Sequence, residues 1–340
     1  MRRRLLILFG LVFQYADSQT VGKYAGEFLA IGVGGRALGL GGAYTALAND
    51  PTAGYWNPGA LVRIHYPEIT LMHDERFGGL LNYDFAAVAL PYGPDVSLGI
   101  SLIRLGVDNI PDTRNAGIDA NGNPLPVDQW QNFVRLNNDK ITYFTSADWA
   151  MYFTYSKKVD ETFSYGANVK FVRRSLGDQS ATGIGFDVGL LYSPFTDFYL
   201  GVNAQDVTTT LVSWSTGRNE LISPTMKLGT AYLFDMLGGR VAPTVDVDIR
   251  FENRRFASTA HIGPISFDPH VGLEYELGGF AALRLGYNDI KQVSFGAGVH
   301  LRRLDIDYSF ARVQNRELGD THRISLRLIL QEDQFARSAE

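Results

Sequence analysis

Cysteine is absent from all 340 residues. A small disulfide-stapled domain and a thiol enzyme are therefore both excluded. No stretch approaches eighteen consecutive apolar residues, so helical membrane spans are not expected. The net charge of −5 is spread along the chain without a basic run, which argues against nucleic acid as a partner. Six histidines (His65, His73, His261, His270, His300 and His322) are scattered, with no HExxH and no close pair, so no metal site is expected. No Ser/His/Asp set and no paired-carboxylate site emerges either, so neither an enzyme nor a cofactor is expected.

What the chain has is a rhythm. After residue 65, stretches of about ten residues alternate apolar and polar positions, as half-buried strands do. Along 183–193, Ile184, Phe186, Val188, Leu190 and Tyr192 share one face, and Gly185, Asp187 and Gly189 the other. Strands of about 9–11 residues fit the height of a tilted membrane-spanning strand. Mean hydropathy is −0.07, near neutral, as expected where only alternate residues meet lipid. Fourteen strands are expected, near 66–75, 80–90, 96–105, 147–157, 163–174, 183–193, 198–206, 224–233, 241–250, 269–276, 280–287, 293–301, 303–311 and 321–330. The fold class is all-β: a 14-stranded antiparallel transmembrane β-barrel, its even strand count being the one that single-chain bacterial barrels require.

The connections sort into short ones (92–95, 158–162, 194–197, 234–240, 277–279, 301–303) and long ones (106–146, 175–182, 207–223, 251–268). Every even strand ends in a short turn. Both termini are therefore expected on the short-turn, periplasmic side, with long loops extracellular at the outer membrane. Aromatics gather near the short turns, at Tyr155, Phe163, Tyr192, Phe198, Tyr232, Phe234, Tyr275 and Phe280, where an interfacial girdle belongs. The inward positions carry Lys170, Asp187, Lys227, Asp246, Asp248, Arg250, Asp305, Asp307, Arg323 and Arg327. Their balanced signs favour salt bridging around a plug over an ion-selective conduit. A polar tail is expected over 331–340.

The first eighteen residues have the layout of an export signal: Arg2, Arg3 and Arg4, an apolar run over 5–13, and small residues at 16–18. Residues 19–65 break the strand rhythm. Within them, 26–61 are rich in Gly and Ala, and Asp50-Pro51 is expected to start a turn between two short helical pieces. A dinucleotide-binding fingerprint fails at Ala37 and again at Tyr44, with no preceding strand. A plug packed inside the barrel by small residues fits better, with Asn57-Pro58 as a locally capped extended or turning step.

The stretch FLAIGVGGRALGLGGAYTALANDPTAGYWNPGAL (28–61) resembles the N-terminal signature of the PorV/PorQ family, within the larger group of FadL-like outer-membrane barrels. The resemblance implies a fourteen-stranded barrel with an N-terminal hatch, whose motif residues here are Gly34, Arg36, Gly39, Gly41, Gly42, Asn57 and Pro58. Gly59 stands where that family often has Ala. It also implies a role in type IX secretion, binding exported proteins or the attachment machinery at the cell surface. Expected partners are outer-membrane lipid, secreted cargo and other secretion-system subunits. The competing reading, from the wider FadL-like group, is a diffusion channel for hydrophobic small molecules, and a third is a structural barrel without transport. In the long 106–146 loop, Trp130 and Phe133 are candidate partner contacts. Asp119-Ala120-Asn121-Gly122-Asn123 is read as a turn, since Pro124 stands where a calcium loop needs glycine.

Overall fold

A computed structural model describes residues 26–132, 134–252, 258–312 and 320–337. The expected export signal, Phe133 and the last three residues of the tail lie outside them. Fourteen strands form one closed antiparallel barrel: Glu68–Arg76, Leu81–Tyr92, Val96–Asp112, Thr142–Lys158, Phe163–Leu176, Gln179–Phe195, Phe198–Gln205, Thr225–Tyr232, Gly239–Arg250, Ile265–Leu277, Ala281–Tyr287, Val293–His300, Leu304–Ala311 and Thr321–Ile329. These are called the first to fourteenth strands below. Each pairs with its chain neighbour, and the first closes on the fourteenth from Glu68↔Ile329 to Glu75↔His322.

The alternation in sequence becomes two faces. In the fifth strand Ser164, Gly166, Asn168 and Lys170 are buried, while Tyr165, Val169 and Phe171 are exposed on the outer wall. Outward Leu, Val, Ile and Phe recur on every barrel strand, as a lipid-facing wall requires. On the short-turn side the outer rim carries the aromatics: Phe195 stacks on Phe198 at 4.8 Å, and Tyr232 on Phe234 at 5.7 Å. Ring stacking at a rim of this kind suits the membrane interface, where one edge of the ring is wet.

Even-numbered strands do end in short turns, at 93–95, 159–162, 196–197, 233–238, 278–280 and 301–303. The opposite side is less uniform than the sequence suggests. The expected long connection at 175–182 is a two-residue turn, because Leu176 pairs with Gln179 across Gly177 (φ 55°). The third and fourth strands extend each other up to Asp112↔Thr142, which shortens the 106–146 loop. The 207–223 loop is itself a hairpin, Thr210–Trp214 with Asn219–Ile222, and it continues the wall by pairing with the sixth strand at Leu211↔Ile184.

Residues 26–64 run through the lumen. They form short pieces only, with α-turns Gly35–Gly39 and Ala53–Trp56 and 3₁₀ turns Glu27–Leu29 and Pro58–Arg63. Thr52 donates its backbone N–H and its hydroxyl to the Asp50 carboxylate, which sets the turn at Pro51 between the two α-turns. The apolar core lies between this segment and the inner wall, where Leu40, Leu47, Tyr55, Trp56 and Leu61 meet Tyr83, Phe85, Ile103 and Tyr152.

Candidate functional site

The lumen segment enters at the long-loop mouth, where Gly26 lies against Ile222, and leaves at the short-turn mouth through Ile64 into the first strand. Gly26 is the first described residue and Arg337 the last, so the two chain ends expected on the short-turn side lie outside the described residues. The sequence reading expected a plug packed inside the barrel by small residues. Its length and direction inside the barrel were not legible from periodicity.

Small residues let the backbone of the hatch touch the backbone of the wall. A Cβ on Gly286 would lie 2.1 Å from the Gly41 nitrogen, and Gly41 itself holds φ +68° against Tyr287. Near Pro58, a Cβ on Gly166 would lie 2.3 Å from the proline carbonyl, and one on Gly189 2.3 Å from Asn57 Oδ1. Glycine is required at these contacts because no side chain fits. The Asn57 amide donates to the carbonyls of Thr45 and Leu190, both at 2.9 Å, and its oxygen accepts the Gly59 N–H at 3.0 Å. Asn57 is extended (φ −165°), as the residue before proline prefers.

Polar side chains of the wall satisfy the irregular backbone of the hatch. Ser164 donates to Gly59 O, Asn168 to Gly54 O, Asn203 to Trp56 O and Thr244 to Ala43 O, at 2.7, 2.7, 2.9 and 3.1 Å. Asp246 accepts the N–H groups of Tyr44 and Thr45 at 3.0 and 2.8 Å. A non-helical segment in a lumen needs such partners, since a buried unpaired backbone group costs about 1–3 kcal/mol.

The ten inward charges identified in sequence fall into separate clusters. Lys170 lies 3.2 Å from Asp187 and 2.7 Å from Asp206. Lys227, Arg250 and His270 surround Asp248 at 2.5, 3.4 and 3.7 Å. Arg327 reaches Asp305 at 2.5 Å. Asp307 and Arg323 take partners the sequence reading did not single out, Arg284 at 2.6 Å and Asp74 at 3.1 Å. Both partners follow the strand parity, because Arg284 shares the inward face with Ala282 and Gly286, and Asp74 with Thr70 and Met72.

The longest of these networks joins hatch to wall. Arg36 forks onto Glu274 at 2.8 and 2.7 Å and donates to Asn49 at 2.6 Å. Glu274 also accepts from Arg284 at 2.6 Å, and Arg284 goes on to Asp307. Gly34 and Gly35 donate to Met72 Sδ and Ser325 Oγ at 3.0 and 2.6 Å. Of the seven motif residues, Gly34, Arg36, Gly39 and Gly41 touch the wall directly or through Arg284, Asn57 binds it, and Pro58 lies against Gly166. Gly42 (φ +83°) packs beside His270.

A second fastening lies at the short-turn rim and had no signal in the sequence. The tail folds back, and the Arg337 guanidinium donates to the carbonyls of Val62, Ile64, Pro94 and Val96 and to Ser97 Oγ, at 2.9, 2.9, 3.0, 3.0 and 2.6 Å. It ties the end of the hatch to the turn between the second and third strands.

Above the hatch, toward the long loops, lies a cavity of about 240 Å³. Ile31, Leu38 and Trp56 form one side of it, and Arg76, Lys227, Asp248, Arg250, His270 and Arg323 form the other. Charges dominate the wall of this cavity. Trp130 lies in the 3₁₀ turn Val127–Asn132 of the 113–141 loop. In the same loop Asp119 accepts the N–H groups of Asn121 and Asn123, each at 2.8 Å, and these bonds hold its carboxylate below the usual range, Asn123 contributing most.

Comparison with known proteins adds to this geometry. The family described as type IX secretion system membrane protein PorP/SprF matches residues 134–328, more than half of the chain. The match covers none of the 28–61 stretch that carries the PorV/PorQ resemblance. No curated protein matches. Among solved structures, the Ralstonia pickettii toluene transporter TbuX is similar at TM-score 0.57 and 13% identity, over 88% of this chain and 98% of that one. A Pseudomonas aeruginosa FadL homologue gives TM-score 0.56 and 13% identity, over 86% and 96%. The P. putida toluene transporter TodX gives 0.56 and 13%, over 88% and 99%. At such identity the likeness is one of fold.

Proposed function

Because this chain belongs to the PorP/SprF family of type IX secretion system membrane proteins, we propose that it serves that system as a plugged outer-membrane barrel. In this reading it binds exported proteins or the attachment machinery at its long-loop face, as PorV- and PorQ-like proteins do by resemblance. The observation that carries the reading is the fastened hatch. Arg36, Asn57, Asp246 and Glu274 bind the lumen segment to the wall, which supports a plugged barrel that offers its loops to a partner. The hydrophobic-channel alternative is less well supported, because the cavity above the hatch presents Arg76, Lys227, Arg250 and Arg323 where an apolar solute would need apolar walls. Function here rests on the site and the family, since the shared fold hosts transporters as well.

The test is a mild-detergent pull-down of the tagged protein from its native outer membrane, followed by mass spectrometry. Secretion-system subunits or secreted proteins sharing a C-terminal domain are the expected companions. Recovery of the barrel alone with a bound hydrocarbon or fatty acid would overturn the reading. The orientation is tested by single-cysteine labelling, which the cysteine-free chain permits directly. Asn121→Cys should react with an impermeant maleimide on intact cells, and Glu161→Cys should not.

A further inference from the structure

One row of outward residues crosses the long-loop end of the first six strands without a break. His73 pairs in register with Asp84, Asp84 with Arg104, Arg104 with Trp149, Trp149 with Arg173, and Arg173 with Thr182. Below this row the outer face is apolar. On the second strand Ala86, Val88 and Leu90 separate Asp84 from the rim residue Tyr92, a height of roughly 20 Å for a tilted strand. The row therefore marks where the hydrocarbon layer ends on the long-loop side.

Along the row the charges are matched in pairs until the last. His73 lies 2.6 Å from Asp84, and Arg104 lies 3.2 Å from Asp108 and 5.7 Å from the Trp149 ring. Arg173 is exposed and has no carboxylate, hydrogen-bond or ring partner among the described residues. Directly beside it the wall is indented. An apolar groove of about 990 Å³ is lined by Leu102, Trp149, Met151, Phe171, Ile184 and Leu211, with Arg173 and Thr182 at its polar end. The hairpin Thr210–Trp214 forms its far bank by replacing the short seventh strand next to the sixth.

We propose that this groove holds one phosphate-bearing, multiply acylated glycolipid of the lipid A class. Its acyl chains lie along Phe171, Ile184 and Leu211, and its phosphate rests on Arg173. A guanidinium presents a fork of N–H donors matched to phosphate, and at the edge of the hydrocarbon layer an unpaired one has no protein anion to satisfy it. The neighbouring Trp149 is an amphipathic ring of the kind that sits at headgroup level. A groove that continues from this level into the apolar wall fits an amphiphile better than a soluble ligand. The choice of glycolipid rests on the long loops facing outward, as the proposed function has it, since that leaflet holds the phosphorylated glycolipid.

The experiment is native mass spectrometry of the protein extracted from its own outer membrane in mild detergent. Wild type should retain one such glycolipid. Arg173→Gln should retain at least tenfold less, and Ile184→Trp, which fills the groove and leaves the arginine in place, should lose it as well. Heat-modifiable migration on gels confirms that each variant is folded. Equal retention in wild type and Arg173→Gln, no adduct in wild type, or retention of a phospholipid in place of the glycolipid would each overturn the proposal. A failed orientation appears separately, in the labelling of Asn121→Cys.

Discussion

Glu274→Gln is the substitution that most directly probes how the hatch is held. It keeps the shape of the side chain and removes its charge. In the wild type one carboxylate serves the partly buried Arg36 through bonds of 2.8 and 2.7 Å and the buried Arg284 through one of 2.6 Å. Arg284 keeps Asp307 at 2.6 Å after the change, so most of the cost falls on Arg36. Arg36 is left with the neutral Asn49 oxygen and the Tyr44 ring 5.4 Å away. Breaking a buried pair by removing one partner costs about 3–5 kcal/mol, and the surviving Asn49 contact places this case near about 3 kcal/mol. At about 1.4 kcal/mol per tenfold, the detached hatch should become on the order of a hundredfold more populated. The assay is conductance of the purified protein in planar bilayers. Wild type should be closed, and Glu274→Gln should show frequent openings. Arg36→Met in the Glu274→Gln background removes the stranded charge and should recover much of the closed state. The reasoning fails if Glu274→Gln stays as closed as wild type, or if the two substitutions add independently, since contacting partners must couple.

Three further outcomes follow from the same contacts. Gly166→Ala forces a methyl group to within 2.3 Å of Pro58 O and should destabilise the protein by about 1–3 kcal/mol, read as a lower denaturant midpoint in detergent. Asn57→Ala strands the carbonyls of Thr45 and Leu190 and the Gly59 N–H, and protease cleavage within 45–60 should appear that wild type resists, at a cost of about 2 kcal/mol. Arg337→Ala removes the donors to Val62, Ile64, Pro94, Val96 and Ser97, so amide exchange at 62–66 should accelerate about tenfold or more while exchange in the strands stays unchanged.

The barrel was legible because its physics is local in sequence. A strand that meets lipid on one face and a polar lumen on the other must alternate, and counting such stretches gave fourteen strands in the observed order. Strand ends were less legible where pairing continues beyond the membrane. Thr142–Ser146 and Val107–Asp112 carry little alternation, yet they extend the ladder because each has the other as partner. The inward charges could be read one by one from parity, but which of them meet depends on register between strands far apart in sequence. Glu274 and Arg284 lie on inward positions that parity marks, but their joint hold on Arg36 depends on register and on the path of the hatch. Arg337 sits in a polar tail without periodicity, and only the folded rim shows what it binds.

The hatch crosses the lumen from Gly26 at one mouth to Ile64 at the other, so in mechanical terms the barrel is a ring closed around its own thread. A door hinged at one edge opens by swinging, whereas a thread that runs from mouth to mouth opens by sliding or by slackening. Tension applied to the chain ahead of Gly26 would run along the thread to Ile64 and the Arg337 knot. From there it would load the seam where the first strand meets the fourteenth. A pull on Gly26 at the long-loop mouth would thus be felt at the opposite rim of the barrel.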